Sequence, residues 1–340
     1  MKRQMGILLV IAAVLLAMMG LTGCEKNPEG AVSEDVELQS FAQDENVDLL
    51  FDEGIDDPDI EGTTAPGTPF AFKNGLGELL SPLNNVVRYG RRIRERFPRT
   101  LAIRRIAPDT FKVFLERVLA GNFVVVEKLN SEADTFVVHR KPLRHIVRRT
   151  AIFVRKATDR VSDNPSDLER DRRPRRGRWM LNAISLLQGN SPNSTIRIHE
   201  VTVTSSGGQS FSFSDPLHTL LEIPGDIPVF APGEEVVVQV SVENNTPNPL
   251  PDSSGALEQV LIHFNTNRHQ HHRKEMRFVG KDPVTNFDLF ETTFEVGPQR
   301  DAFFHAIVDA IDNGTIFDSD EGTYPYRSTT WAVPYFIGQP

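Results

Sequence analysis

Apolar residues between residues 81 and 121 recur at intervals of three and four, which is the spacing of an amphipathic helix. Ser81 followed by Pro82 suits a helix start, Pro98 ends the first run, and Gly121 ends the second. A strand also fits the first half of the second run, but the charged Arg117 would then interrupt the apolar row. The pattern therefore predicts two helices, with apolar positions Leu83, Val86, Val87, Ile93 and Phe97 in the first and Phe111, Phe114, Leu115, Val118 and Leu119 in the second.

Beyond Gly121 the apolar positions alternate with polar ones, which is the period of a β-strand. Four such segments read NFVVVEKL, DTFVVHRK, HIVRRTAIFVRKA and RGRWMLNAISLL, with loops between them. Two helices followed by four strands predict an α+β domain over residues 70–190. In this α+β roll, two helices lie on a curved antiparallel sheet.

The last two of these segments carry a family motif. It consists of one strand of the type R-x-A-x-F-x-R and a final strand of the type W-x-L-x-x-I. In this chain the motif residues are Arg149, Ala151, Phe153 and Arg155, then Trp179, Leu181 and Ile184. The pair resembles the ending of nuclear-transport-factor-2-like (cystatin-like) domains.

This resemblance implies a pocket in the cone of the sheet, a feature that both enzymes and binding modules of the family use. It carries over no catalytic residue, because the motif concerns fold more than function. The residues near the predicted sheet that suit such a pocket are Asp134, His139 and His145, with exposed strand or loop positions as the alternative.

From Ser194 to the end of the chain the pattern is that of short strands separated by Pro, Gly, Asn and Asp. In the segment FAPGEEVVVQVSVENN, four valines at positions 236, 238, 240 and 242 alternate with mainly polar residues. Such alternation is typical of a half-buried strand in a two-sheet structure. The segment resembles the early strands of bacterial immunoglobulin-like modules, which implies an all-β immunoglobulin-like sandwich over residues 191–340.

The N-terminal residues have the pattern of a targeting segment. Lys2 and Arg3 precede an apolar stretch, residues 7–20, that is too short to span a bilayer comfortably, and Leu-Thr-Gly-Cys follows at 21–24. This arrangement resembles a bacterial lipoprotein signal. The resemblance implies removal of residues 1–23, attachment of acyl chains such as palmitate at Cys24, and a membrane-anchored, extracytoplasmic protein.

Cys24 is the only cysteine of the chain, so the folded part can form no internal disulfide. Glu25 follows it instead of aspartate, and the sorting pattern of lipoproteins then favours the outer membrane if the host has two membranes.

Charge is strongly segregated along the chain. Residues 25–67 carry a net charge of −13, residues 73–178 of +14, and residues 179–340 of −12. The acidic, apolar-poor first block predicts a disordered tether over residues 24–69. We hypothesise that this tether or the acidic C-terminal half screens the basic block.

A basic segment, RDRRPRRGR, precedes Trp179 and suggests binding of an anionic partner such as lipid headgroups or a surface polysaccharide. Nucleic acid is not expected, because no aromatic residue is interleaved with these arginines and the compartment is wrong. The candidate anion-binding residues are Arg172, Arg173, Arg175, Arg176 and Arg178.

The segment DNGTIFDSDEGTYPYRSTTW, residues 312–331, offers two further candidate sites. Asp318 and Asp320, followed by Gly322, have the D-x-D-x-G spacing that can bend carboxylates onto Ca²⁺, with Asp312 as an additional ligand. The calcium-loop pattern lacks its closing glutamate, so a solvated acidic turn is the alternative.

The same region has a weak similarity to starch-binding β-sandwich modules, carried by the Ile262-His263 pair, by Phe304 with Asp309, and by residues 312–324. No tryptophan follows His263, where such modules place a sugar-stacking ring. The resemblance implies glycan contacts by Tyr324, Tyr326 and Trp331, with core packing as the alternative for these rings.

The sequence contains no nucleophile elbow, no zinc-protease motif and no phosphate loop, so no catalytic residue and no resident cofactor are predicted. The function expected is that of a membrane-anchored lipoprotein with a non-catalytic binding or envelope-assembly role. The alternatives are carbohydrate binding by the sandwich, and ligand binding or catalysis in the pocket of the roll. The expected partners are the membrane and a glycan or envelope protein.

Overall fold

The computed structural model describes residue 40 and the ranges 54–57, 82–83, 85–129, 135–156, 178–267 and 270–338. The chain divides into two compact units, residues 1–41 and 42–340, and only Ser40 is described in the first. The predicted lipidation site Cys24, the pocket residue Asp134 and the basic segment 170–177 lie outside the described residues. Arg178 is described as the first residue of a strand.

Strands dominate the second unit, and the prediction of an α+β roll is wrong. The two predicted helices are strands, Val86–Arg96 and Thr110–Lys128, and no two-helix layer occurs among the described residues. Phe111, Val113 and Leu115 are buried in alternation, which fits the strand alternative for this run. Arg117 is tolerated in that row because its guanidinium donates to the carbonyl of Phe97 at the edge of the sheet.

Seventeen strands and one short helix are defined in the described part of the second unit. In chain order they are β1 (Val86–Arg96), β2 (Thr100–Ala107), β3 (Thr110–Lys128), β4 (Phe136–Lys156), β5 (Arg178–Ser185), β6 (Leu187–Asn190), β7 (Ile196–Ser205), β8 (Ser210–Phe213), β9 (Leu220–Glu222), β10 (Val229–Phe230), β11 (Glu235–Asn244), β12 (Glu258–Asn267), β13 (Gln270–Glu275), β14 (Arg277–Lys281), β15 (Asp288–Glu295), β16 (Ala302–Asp312), α1 (Asn313–Phe317) and β17 (Ser328–Ile337).

The strands form two sheets. The larger has the order β1-β3-β4-β6-β17-β16-β12-β13, with β2, β5, β9 and β10 attached to its side, and the smaller has the order β14-β15-β11-β7-β8. β3 and β4 form a long antiparallel hairpin whose register runs from Thr110 opposite Val154 to Lys128 opposite Phe136. β6 pairs with both β4 and β17, so strands from either side of residue 190 share one sheet.

The smaller sheet packs face to face with part of the larger one, an arrangement consistent with a β-sandwich. Phe294 of β15 contacts Phe264 of β12 and Tyr335 of β17, with ring centroids 4.9 and 6.2 Å apart. The predicted alternation along β11 is confirmed, because the valines at 236, 238, 240 and 242 are all buried.

The larger sheet curls until its two end strands, β1 and β13, approach each other. The guanidinium of Arg273 on β13 donates to the carbonyl of Tyr89 on β1 and lies 4.5 Å from the centre of the Tyr89 ring. Inside the curl lies a core that includes Leu119, Phe123 and Ile307. This curvature brings β1, β4, β16 and β17 around one interior.

A short piece of the predicted tether, residues 54–57, lies against β1. Asp57 donates its N–H to the carbonyl of Arg91 (2.7 Å), and its carboxylate accepts from the Arg91 N–H (3.0 Å). Asp56 accepts from the Ile93 N–H (2.9 Å), and Ile55 is 2% exposed in the core beneath. Gly90 permits this approach, because a Cβ there would lie 2.4 Å from the Asp57 carboxylate.

Candidate ligand-binding recess and buried polar network

A buried ion pair links β1 to β16 in the interior of the curled sheet. The Arg91 guanidinium, 1% exposed, makes two hydrogen bonds to the Asp309 carboxylate, one of them of 2.6 Å. It also donates to Ser328 Oγ (2.7 Å) and, through Nε, to the hydroxyl of Tyr326 (2.6 Å). Burial by itself raises the pKa of Asp309, but Arg91 and His263 outweigh it and hold that pKa well below its usual range.

His145, predicted for the pocket of the roll, belongs to this network. Its Nδ1 lies 3.1 Å from the Tyr326 hydroxyl and its Nε2 3.1 Å from Thr330 Oγ1. Both ring nitrogens of His145 therefore have a hydroxyl group as hydrogen-bond partner. Burial, and then the charge of Arg91, lower the pKa of His145 to about 3, so its imidazole is neutral at physiological pH.

His139 lies on the same strand as His145 but contacts a different residue. Its Nε2 lies 3.2 Å from the carboxylate of Glu127 on β3, and the side chain is partly exposed. His145 faces the sealed interior, so the two histidines do not line a common open pocket among the described residues.

The acidic loop 312–324 contains a cation supplied by the chain itself. The ammonium of Lys141 on β4 donates to the carbonyls of Gly314 (3.1 Å) and Tyr324 (2.5 Å). Burial lowers the pKa of Lys141 to about 8, whereas the nearby carboxylates of Asp318, Asp312 and Asp320 act in the opposite direction. The residues proposed for calcium are therefore arranged around a buried ammonium.

The carboxylates of Asp312, Asp318 and Asp320 also accept hydrogen bonds from the backbone of the loop. Asp312 caps α1 by accepting from the Thr315 N–H (3.2 Å), Asp318 accepts from the Asp320 N–H, and Asp320 accepts from the Gly322 N–H (both 2.7 Å). Nowhere in the part of the chain that the structure describes do three His, Cys, Asp or Glu side chains form a group able to hold a metal ion.

Calcium is accordingly expected to leave the melting temperature unchanged. The Lys141 ammonium lies near the carboxylates of Asp318, Asp312 and Asp320, and its positive charge opposes the entry of a divalent cation. Thermal melts monitored by circular dichroism, in millimolar calcium and in excess chelator, test this. A rise in melting temperature that saturates with calcium would show that the loop binds the ion despite Lys141.

The three rings predicted to contact a glycan are buried. The Tyr324 ring covers Gly314, where a Cβ would lie 2.0 Å from the ring, and its hydroxyl donates to the carbonyl of Asn248 (3.2 Å). Tyr326 belongs to the interior network, and Trp331 on β17 is buried as well. None of these three rings presents a face to a sugar in solution, so the core-packing alternative describes them.

An open recess of about 390 Å³ lies where the edges of the two sheets meet, within the size range of small-ligand sites. It opens between the end of β13, β14 and β15, the turn at 252–254, and α1. Its lining combines carboxyl groups with apolar walls. The lining residues are Asp252, Ser253, Ser254, Glu258, Gln259, Glu275, Met276, Arg277, Phe278, Phe290 and Phe317.

Glu258 contributes an unsatisfied buried acid to the recess. The residue is 0% exposed, and neither carboxyl oxygen has a hydrogen-bond partner among the described residues. The neighbouring Asn244 amide does not satisfy it, because its two hydrogens go to Leu257 O (3.0 Å) and Asp312 Oδ1 (3.2 Å). Burial, and then the nearby Asp288 carboxylate, raise the pKa of Glu258 to about 8.

The other two carboxyl groups of the recess differ from Glu258. Asp252 is engaged in a turn, with Oδ1 accepting from the N–H groups of residues 254–256 and Oδ2 from Gln259. Glu275 is exposed, although partial desolvation, followed by the charge of Asp252, raises its pKa. Sequence reasoning missed the recess because Glu258 begins an ordinary alternating strand and nothing in that pattern marks it.

No protein-family model matches the chain, and no curated protein sequence matches it at a significant level. Among solved structures, the chain is similar to one of extended synaptotagmin 2 that comprises its SMP domain and two C2 domains, at 9% sequence identity over 73% of this chain and 90% of that chain. The TM-score of 0.15 is too low to carry an argument.

Proposed function

We propose that this chain is a lipid-anchored, extracytoplasmic protein with a non-catalytic binding role, and that the recess beside Glu258 is its ligand site. The observation that carries the binding role is the carboxyl of Glu258, which is buried without a hydrogen-bond partner among the described residues and borders an open recess. A buried acid without a partner is costly to keep, and a ligand that satisfies it recovers that cost.

Support for a non-catalytic role comes from the interior network. Arg91, Asp309 and His145 are the kind of groups that act in catalysis, but here they are buried and hydrogen-bonded to one another and to their neighbours. A general acid or base must reach the substrate proton directly or through one water. These side chains face the interior of the curled sheet, where their hydrogen bonds link β1, β4, β16 and β17.

Support for the anchor comes from the sequence at 21–24, with its single cysteine after a short apolar run. Among the described residues, no helix is long and apolar enough to cross a membrane. Two or more acyl chains at Cys24 would anchor the chain stably, because each buried methylene contributes about 0.8 kcal/mol.

Intact mass spectrometry of the chain purified from its host membranes tests the anchor. We expect loss of residues 1–23 and a mass increase that corresponds to a diacylglyceryl group and an amide-linked acyl chain at Cys24. The Cys24→Ser variant should keep residues 1–23 and carry no acyl group. A wild-type chain that retains residues 1–23 without lipid contradicts the proposal.

A further inference from the structure

The recess is electrostatically negative. The carboxyl groups of Asp252 and Glu275 line it beside that of Glu258, whose raised pKa keeps it mainly protonated in the free protein, and the buried carboxyl groups of Asp288 and Asp312 lie near Glu258. The basic group in its lining, Arg277, is 76% exposed and pairs with Glu291 outside. Lys281, a further cation near Glu258, is paired with Asp288. A positively charged group entering the recess would therefore meet a net attraction.

The remaining wall of the recess is apolar and aromatic. Phe290 and Phe317 line it as buried side chains, and Phe278 packs on Phe290 with ring centroids 5.5 Å apart. Met276 completes this side. Aromatic faces attract cations as well as alkyl groups, so the wall suits an organic cation better than a hydrated metal ion.

We propose that this recess binds a small primary alkylammonium ligand, with its ammonium on the Glu258 carboxylate and its alkyl part against Phe290 and Phe317. An ammonium has three N–H donors and can satisfy both oxygens of Glu258. A metal ion fits less well, since no three ligating side chains converge in the described part of the chain. The inference rests on the proposed binding role and names its ligand class.

Binding on this scheme releases a proton. The free carboxyl of Glu258 is mainly protonated at pH 7, because its pKa is raised to about 8. When the ammonium enters, the O–H bond of Glu258 breaks, its proton passes to the buffer, and N–H···O bonds to the carboxylate form. The charged groups facing Glu258 that bear on this step are Asp288 of β15, Asp312 of β16, Lys281 of β14, and Glu275 and Arg277 across the recess.

Isothermal titration calorimetry of the full chain with n-butylammonium chloride at pH 7 tests the proposal. Two buffers of different ionisation enthalpy, neither with a primary amine, report the protons released. We expect saturable binding with net proton release, and no binding of n-butanol. Glu258→Gln should bind at least roughly tenfold more weakly and release no proton. Glu295→Gln, an exposed change on β15 outside the recess, should behave as the wild type.

Absence of saturable binding, or binding without proton release, overturns the proposal. Equal affinity of Glu258→Gln and the wild type does so as well. If Glu258→Gln fails to fold, the proton count of the wild type and the weaker binding expected for Phe278→Ala decide the question. If butylammonium does not bind but Cys24 is lipidated, the proposed ligand class is wrong and the proposed anchor stands. If butylammonium binds but Cys24 carries no lipid, only the proposed anchor is wrong.

Discussion

Replacing Arg91 with methionine is expected to lower the free energy of unfolding by about 3–5 kcal/mol. The substitution keeps much of the side-chain volume but leaves the Asp309 carboxylate buried without its cation. Asp309 would retain the hydroxyl of Ser328 (2.9 Å) and the longer contact to His263 (3.4 Å), which cannot replace a charge-assisted pair of bonds. Urea unfolding at pH 7, followed by circular dichroism, measures the loss.

The matched control is Arg96→Met on the same strand. Arg96 pairs with Asp56 at 2.9 Å, but both side chains are partly exposed, so this substitution is expected to cost no more than about 1 kcal/mol. The double variant Arg91→Met/Asp309→Leu removes both buried charges and should recover part of the stability lost in the single variant. If Arg91→Met costs no more than Arg96→Met, the pair is not buried as described.

The sequence predicted the strands of the second half well and those of the first half poorly, for a physical reason. Residues four apart share a face in a helix and also in a strand, so Phe111 and Leu115 fit both periods. The residues that favoured a helix, Phe114 and Val118, are only partly buried and lie on the opposite face of β3. The long antiparallel pairing of β3 with β4 favours the strand over the helix. This pairing joins residues far apart in the sequence, so the local pattern of apolar residues does not reveal it.

The charged side chains of the interior have partners that lie far away in the sequence, so they were harder to predict than the strands. The carboxylates of the acidic loop were visible in the sequence, and a cation for them was a reasonable expectation. The structure places the ammonium of Lys141 at this loop, although Lys141 lies 173 positions before Gly314 along the chain and reaches it only through the fold. Arg91 and Asp309, 218 positions apart, meet in the same way. Neither spacing nor composition brings such residues together.

Truncating Ile55 to alanine is expected to destabilise the chain by about 2–5 kcal/mol, although its segment was predicted to be a disordered tether. Ile55 is 2% exposed and packs in the core cluster that contains Leu83, Val86 and Tyr89. The loss combines the transfer of fewer apolar atoms from water with the cavity left beneath β1. The difference in unfolding midpoint between wild type and variant, with an unchanged urea dependence, gives the value.

Ile106→Ala provides the same chemical change at a position that is 51% exposed on β2. It should cost less than about 0.5 kcal/mol, as expected for a surface substitution. A large difference between the two variants would mean that residues 54–57 are part of the folded unit, which shortens the span between Cys24 and that unit to residues 25–53. Equal small effects would instead mean that Ile55 does not belong to the core and that the tether extends to residue 69.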